Sequence, residues 1–182
     1  MKIGFAIFVA AAIAVATMSV FDATAQAQGF QVCKGKFALC TVAPCVPIPG
    51  NDKQVSCRCT VNTGYSVGQQ ACQDAKETPE GQQIRSRYFP VKNYTVCSND
   101  RPWAWCLDRP CIISKNNPEA ASCACDLVKG RGDYVTCFDP ATTCMSGVIS
   151  SATVTQITQV TNFLKTQSKL PPSKIQVLNA HH

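Results

Sequence analysis

Histidine is all but missing from this chain: its only two copies, His181 and His182, close the sequence. Without an internal imidazole, a Ser-His-Asp or Cys-His site has no base at neutral pH. A histidine-ligated catalytic zinc is excluded for the same reason. Charge is scarce too, at 15% of residues, which rules out a highly charged disordered chain. In the second half the acids Asp100, Asp108, Glu119, Asp126, Asp133 and Asp139 are scattered. No pair stands out of the kind that hydrolyses glycosides. After Val20 no run is apolar and long enough to cross a bilayer. With 182 residues, the chain is too short for a multi-domain enzyme.

What is abundant is cysteine, at 13 residues. The N-terminus says how to read it. Lys2 is the only charged side chain before Asp22, and Ile3 to Val20 is almost wholly apolar. Ala23-Thr24-Ala25-Gln26-Ala27 follows, with two small-x-small exits. This pattern is a secretory signal peptide over residues 1–25, cleaved after Ala25 or Ala27. The expected location is secreted or periplasmic, with no membrane span once the signal is removed. In such compartments regularly spaced thiols become disulfides.

The cysteines spell a tandem repeat. Cys33, Cys40, Cys45, Cys57, Cys59 and Cys72 form one set; Cys97, Cys106, Cys111, Cys123, Cys125 and Cys137 form the other. The central four keep the spacing C-x4-C-x11-C-x-C in both sets, at a constant offset of 66 residues. Phe37-Ala38-Leu39-Cys40 corresponds to Trp103-Ala104-Trp105-Cys106, and Pro44, Ser56 and Gly64 to Pro110, Ser122 and Gly130. Units of this length bury too little apolar surface to offset their conformational entropy and need staples. A disulfide closing a short loop contributes about 3 kcal/mol.

The expected fold is therefore small, disulfide-rich and mainly β. It has unit 1 at 29–74, a linker at 75–92, unit 2 at 93–144 and a Thr/Gln-rich segment at 145–182. Both C-x-C elements alternate apolar and polar residues, so each cysteine pair faces one side of a strand. The two cysteines of a pair then need different partners, for which Cys40 and Cys45, or Cys106 and Cys111, are the candidates. Turns are expected at Pro49-Gly50-Asn51-Asp52, Asn62-Thr63-Gly64 and Asn116-Asn117-Pro118. Val154, Ile157, Val160 and Leu164 fall at helical spacing. Ser150 or Ser151 is the expected cap and Pro171-Pro172 the stop.

Cys144 stands outside both sets. We expect it to be the unpaired thiol, open to a covalent homodimer. Metal and cofactor are not expected: four thiolates are available, but zinc patterns space both pairs by two to four residues. The function expected is non-enzymatic: binding, inhibition or a place in the envelope. The candidate surface is Arg101, Trp103, Trp105 and Arg109, and the partner an extracellular or periplasmic protein or polysaccharide. A charge of +6 with interspersed acids does not ask for nucleic acid. Two alternatives stand beside it. One is thiol–disulfide exchange at Cys57/Cys59 or Cys123/Cys125. The other rests on Arg131-Gly132-Asp133, which resembles the integrin-binding loops of adhesive proteins and implies adhesion.

Overall fold

The alternation around each C-x-C does build a strand, and those two strands organise the molecule. The computed structural model describes residues 29–88, 93–98, 100–130, 133–136, 144, 147–167 and 176–177. The expected signal peptide, Arg131, Gly132 and Cys137 lie outside them. Unit 1 holds β1 (Gln31–Leu39), β2 (Cys45–Ile48) and β3 (Asn51–Gly68), and the expected linker holds β4 (Lys76–Thr78) and β5 (Gly81–Arg85). Unit 2 holds β6 (Asn93–Cys97), β7 (Trp103–Trp105), β8 (Pro110–Ser114), β9 (Asn117–Val128) and β10 (Tyr134–Thr136). The chain continues through β11 (Ser150–Ser151), α1 (Val154–Lys165) and β12 (Gln176–Val177). The fold is the small, disulfide-rich, mainly β one that the composition called for. Among the described residues, no helix is long and apolar enough to cross a membrane.

β1 and β2 run along one edge of β3, and β9 takes the other. The β3–β9 register places Cys57 opposite Cys123, Gln54 opposite Asp126 and Thr60 opposite Ala120. Adding the repeat offset to either strand maps this ladder onto itself. The duplication is thus a pseudo-two-fold whose axis passes between Cys57 and Cys123. Ser56 and its copy Ser122 meet beside it, their hydroxyl oxygens 2.7 Å apart. β7 and β8 pair with β9 as β1 and β2 pair with β3. The β2–β3 hairpin closes through Pro49-Gly50, with Gly50 at φ +74°, the left-handed position that glycine fills without steric cost.

The expected linker is not a spacer. β5 pairs with β8 of unit 2, placing Ile84 opposite Cys111, and the chain then returns to unit 1, where Ser86 bridges Ala38. The tail of unit 2 does the same in reverse. The amide of Cys45 donates to the Val148 carbonyl at 2.9 Å, and β11 then pairs with Ala104 and Trp105. Each unit's tail completes the other's hairpin edge, because a hairpin alone leaves a row of backbone groups unpaired. Two buried serines copy each other here. Ser86 Oγ accepts from the Arg109 amide at 2.9 Å and donates to the Cys106 carbonyl. Ser150 Oγ accepts from the Ala43 amide at 2.9 Å and donates to the Cys40 carbonyl.

The core between the units is mostly sulfur and alanine. Cys40, Cys45, Cys57, Cys59 and their copies pack with Ala38, Ala104, Val55, Ile84 and Ile113. The bonds are Cys40–Cys59, Cys45–Cys57, Cys106–Cys125 and Cys111–Cys123, so each C-x-C cysteine has its own distant partner. Cys45 and Cys111 sit directly opposite Cys57 and Cys123 in their ladders.

Three expectations are corrected. Cys144 is not a free thiol: it bonds Cys97, while Cys33 bonds Cys72. After β10 the chain must come back to pair with β7, and Cys144 lies on that return, clustered with Cys97, Trp103 and Tyr134. A homodimer through Cys144 falls with it. Twelve of the thirteen cysteines are thereby bonded, and the remaining one is Cys137. Asn62-Thr63-Gly64 is no turn but part of β3, with Gly64 opposite Gly35. The cap of α1 is Thr153, in a capping box with Gln156, because Ser150 and Ser151 are committed to β11. Val160 and Leu164 of α1 are buried, against Val67; Pro171-Pro172 lies outside the described residues.

Candidate functional site

The surface expected around β7 is only partly a surface. Trp103 is 5% exposed. Its ring stacks on Tyr134 at 6.2 Å and meets Trp105 edge-on at 6.4 Å. Trp105 is half-buried, with Tyr88 at 5.7 Å, and packs with Val154 and Ile157 of α1. The two indoles are covered differently: Trp103 packs with Tyr134, Cys97 and Cys144, and Trp105 with Tyr88 and the first turn of α1. Arg109 is half-buried and paired with Asp126; Arg101 is exposed. Asp133 is exposed, and its two partners in the adhesive triplet lie outside the described residues.

The C-x-C sulfurs are a poor fit to exchange chemistry. Cys57, Cys59, Cys123 and Cys125 are each 0–1% exposed, and exchange needs a thiolate to reach a disulfide sulfur in line. The sulfurs of Cys40 and Cys123 lie 3.5 Å apart, and Cys40, Cys106 and Cys125 gather within 4.8 Å. All are covalently bonded to other sulfurs, so they offer no thiolate to a metal.

Two concave places stand out among the described residues. The larger, about 590 Å³, lies on the outer face of the sheet at the pseudo-two-fold. Its floor is Ser56, Ser122 and Ala124, its walls Pro47, Ile48, Pro110 and Ile112, and Glu80 is its one ionisable side chain. The smaller, about 180 Å³, lies at the Cys33–Cys72 end of unit 1. Four cations line it, Lys34, Lys36, Arg85 and Arg87, against a single carboxylate, Asp74.

A polar lock forms the base of this second cavity. Arg87, 4% exposed, donates to Asp108 Oδ1 at 2.6 Å and to the Gln70 and Ala71 carbonyls at 2.9 Å. Asp108 Oδ2 accepts the amides of Gln69 and Gln70 at 2.6 and 3.1 Å. Burial lowers the pKa of Arg87 from its ordinary value, Asp108 raises it in part, and the like charge of Arg85 lowers it again. Gly68 lies so close that a Cβ there would overlap the guanidinium and the carboxylate.

The cavity brings Arg85 and Arg87 beside the 33–37 stretch of β1. No protein-family model, curated protein or solved structure matches this chain.

Proposed function

We propose that this is an exported, non-enzymatic binding protein whose rigidity comes from crosslinks and not from a large apolar interior. The observation that supports it is the centre of the sheet: four disulfides buried at the pseudo-two-fold, locking two units whose tails complete one another. Such a body holds its outer face in one shape without a ligand, which lowers the ordering cost of binding. The chemistry of the cavities supports the same reading. Each carries one carboxylate and no histidine, so neither offers the acid and base that hydrolysis at neutral pH requires.

The test has two parts. Intact mass of the exported protein, without reductant, should give a chain starting at Gln26 or Gln28 and lacking twelve hydrogens relative to its reduced form. A chain retained in the cell with residues 1–25 attached, or one with free C-x-C thiols, overturns the reading. The same material should not accelerate reduction of insulin by glutathione; turnover there would make it an exchanger.

A further inference from the structure

We propose that the outer edge of β1 takes an extended, acidic segment of a partner protein as an added strand. The proposal deepens the binding reading and rests on it.

On an antiparallel ladder, successive residues send their N–H and C=O groups to opposite edges. The Arg87 amide donates to the Ala38 carbonyl at 2.9 Å, so the backbone groups of Ala38 point away from β3. Near the other end, Val67 of β3 exchanges two 2.8 Å hydrogen bonds with Tyr88, which leaves Val32 opposite it unbonded to β3. The ladder runs from Gln31 to Leu39 without a register shift, so the backbone groups of Lys34 and Lys36 point outward as well. Among the described residues they have no hydrogen-bond partner on that side. Lys34, Gly35 and Lys36 are all exposed, and the smaller cavity borders them. An exposed strand with a row of unpaired amides and carbonyls is a template for another strand.

The repeat shows what such an edge can hold. Tyr94-Thr95-Val96-Cys97 of β6 is the copy of Phe30-Gln31-Val32-Cys33 at the start of β1. β10 stands before Cys137 as the end of β3 stands before Cys72, and each pairs antiparallel with the strand of its own unit. The other edge of β6 carries β12, with Gln176 opposite Asn93 and Val177 opposite Tyr94. Unit 2 thus fills, from the chain itself, an edge that unit 1 leaves open. Charge selects the occupant. Lys34 and Lys36 share one face of β1. The residues of an added strand would be their cross-strand neighbours, where opposite charges stabilise and like charges repel. Lys36 Nζ donates to the neutral Gln82 Oε1 at 2.8 Å, and Lys34 Nζ lies 5.7 Å from the centre of the Tyr65 ring. Neither contact neutralises the lysine. A second copy pairing edge to edge about Gly35 would bring each lysine against a lysine of the other, which disfavours it. A strand with carboxylates at alternate positions meets the opposite situation.

The probe is a short capped peptide alternating glutamate with valine, added to the oxidised protein and followed by amide NMR. Saturable shifts should centre on residues 32–37. Hydrogen exchange at the Lys34 and Lys36 amides should slow about tenfold when free peptide is about ten times its Kd. N-methylating every second amide of the peptide should abolish binding in one phase and spare it in the other, because only one edge of the added strand meets β1. Lys34→Gln with Lys36→Gln should weaken binding about fivefold, the loss of two cross-strand charge pairs. Both lysines are exposed, so folding is preserved, as the thermal midpoint verifies. Shifts centred elsewhere, both methylated peptides binding alike, an undiminished affinity in the lysine variant, or no saturable shift would overturn the site. Sedimentation of the protein alone should give a monomer; a dimer that protects the Lys34 and Lys36 amides would make the occupant a second copy and overturn the proposal. The export and disulfide measurements would be untouched by these results, so the two claims fail separately.

Discussion

The exchanged tails make a quantitative demand on two serines. Ser86 and Ser150 are each 1% exposed, and each hydroxyl accepts from one amide of the opposite unit and donates to a carbonyl there, Ser86 Oγ lying also 3.3 Å from the Arg109 carbonyl. Truncating Ser150 to Ala leaves the Ala43 amide with only the Cys40 carbonyl at 3.3 Å, and the Cys40 carbonyl without its hydroxyl donor. A buried polar group left unsatisfied costs about 1–3 kcal/mol. The secondary contact recovers part of that for the amide, so about 2 kcal/mol is expected for Ser150→Ala. Ser86→Ala should cost the same, because the Arg109 amide keeps a matching 3.3 Å contact with the Cys106 carbonyl. For a mature chain of this size the loss corresponds to a fall in Tm of about 4–8 °C. Urea unfolding of the oxidised protein is the assay, with an unchanged slope showing that the unfolded state is the same. Ser122→Ala is the control. Its hydroxyl also has a hydrogen-bond partner, Ser56, but is exposed, and the change should cost less than about 0.5 kcal/mol. If the two buried serines shift the midpoint no more than Ser122 does, the tails do not knit the units together. If only one does, the exchange is not reciprocal.

Three further outcomes follow from the same geometry. Alkylation of the denatured, unreduced protein should mark one thiol, and peptide mapping should place it at Cys137; label on Cys144 would contradict its bond to Cys97. Gly68→Ala should drive a methyl group into the Arg87–Asp108 pair and cost about 3 kcal/mol or more. Gly29→Ala, where a Cβ would meet nothing within 4 Å, should stay within about 0.5 kcal/mol in the same urea assay. The Tyr88 hydroxyl is buried without a hydrogen-bond partner among the described residues, and burial, then the Asp108 charge, raises its pKa well above 10.0. The unfolded tyrosine ionises first, so this stabilisation is complete below pH 10 and is lost as pH rises beyond it. Tyr88→Phe should flatten that loss while leaving stability near neutrality unchanged or slightly higher; an identical alkaline profile in the two proteins would refute the assignment.

Some of this was legible because it is local. The two-residue period of Val55-Ser56-Cys57-Arg58-Cys59 determines that both sulfurs share a face, whatever the strand pairs with. Pro49-Gly50 determines its turn, and Val154 to Leu164 its helix, through backbone preferences a few residues long. The Asn62-Thr63-Gly64 reading failed because Gly64, opposite Gly35, is carried as strand by the long β1 ladder, and pairing outweighs turn propensity. Whether Trp103 and Trp105 meet water depends on where Tyr134 and residues 154–157 return.

The sequence by itself determined a duplicated, crosslinked β protein, and even which cysteines must seek separate partners, because spacing and alternation act within a single strand. Tertiary structure alone decided that β3 and β9 meet at Cys57 and Cys123, and that residues 81–88 and 148–153 cross between units. It also decided that Cys144 closes on Cys97 and that the 33–37 stretch of β1 lies beside Arg85 and Arg87 at one cavity. Those outcomes depend on backbone groups and charges brought together from distant parts of the chain. A residue's own neighbours carry no record of the partner that will satisfy it.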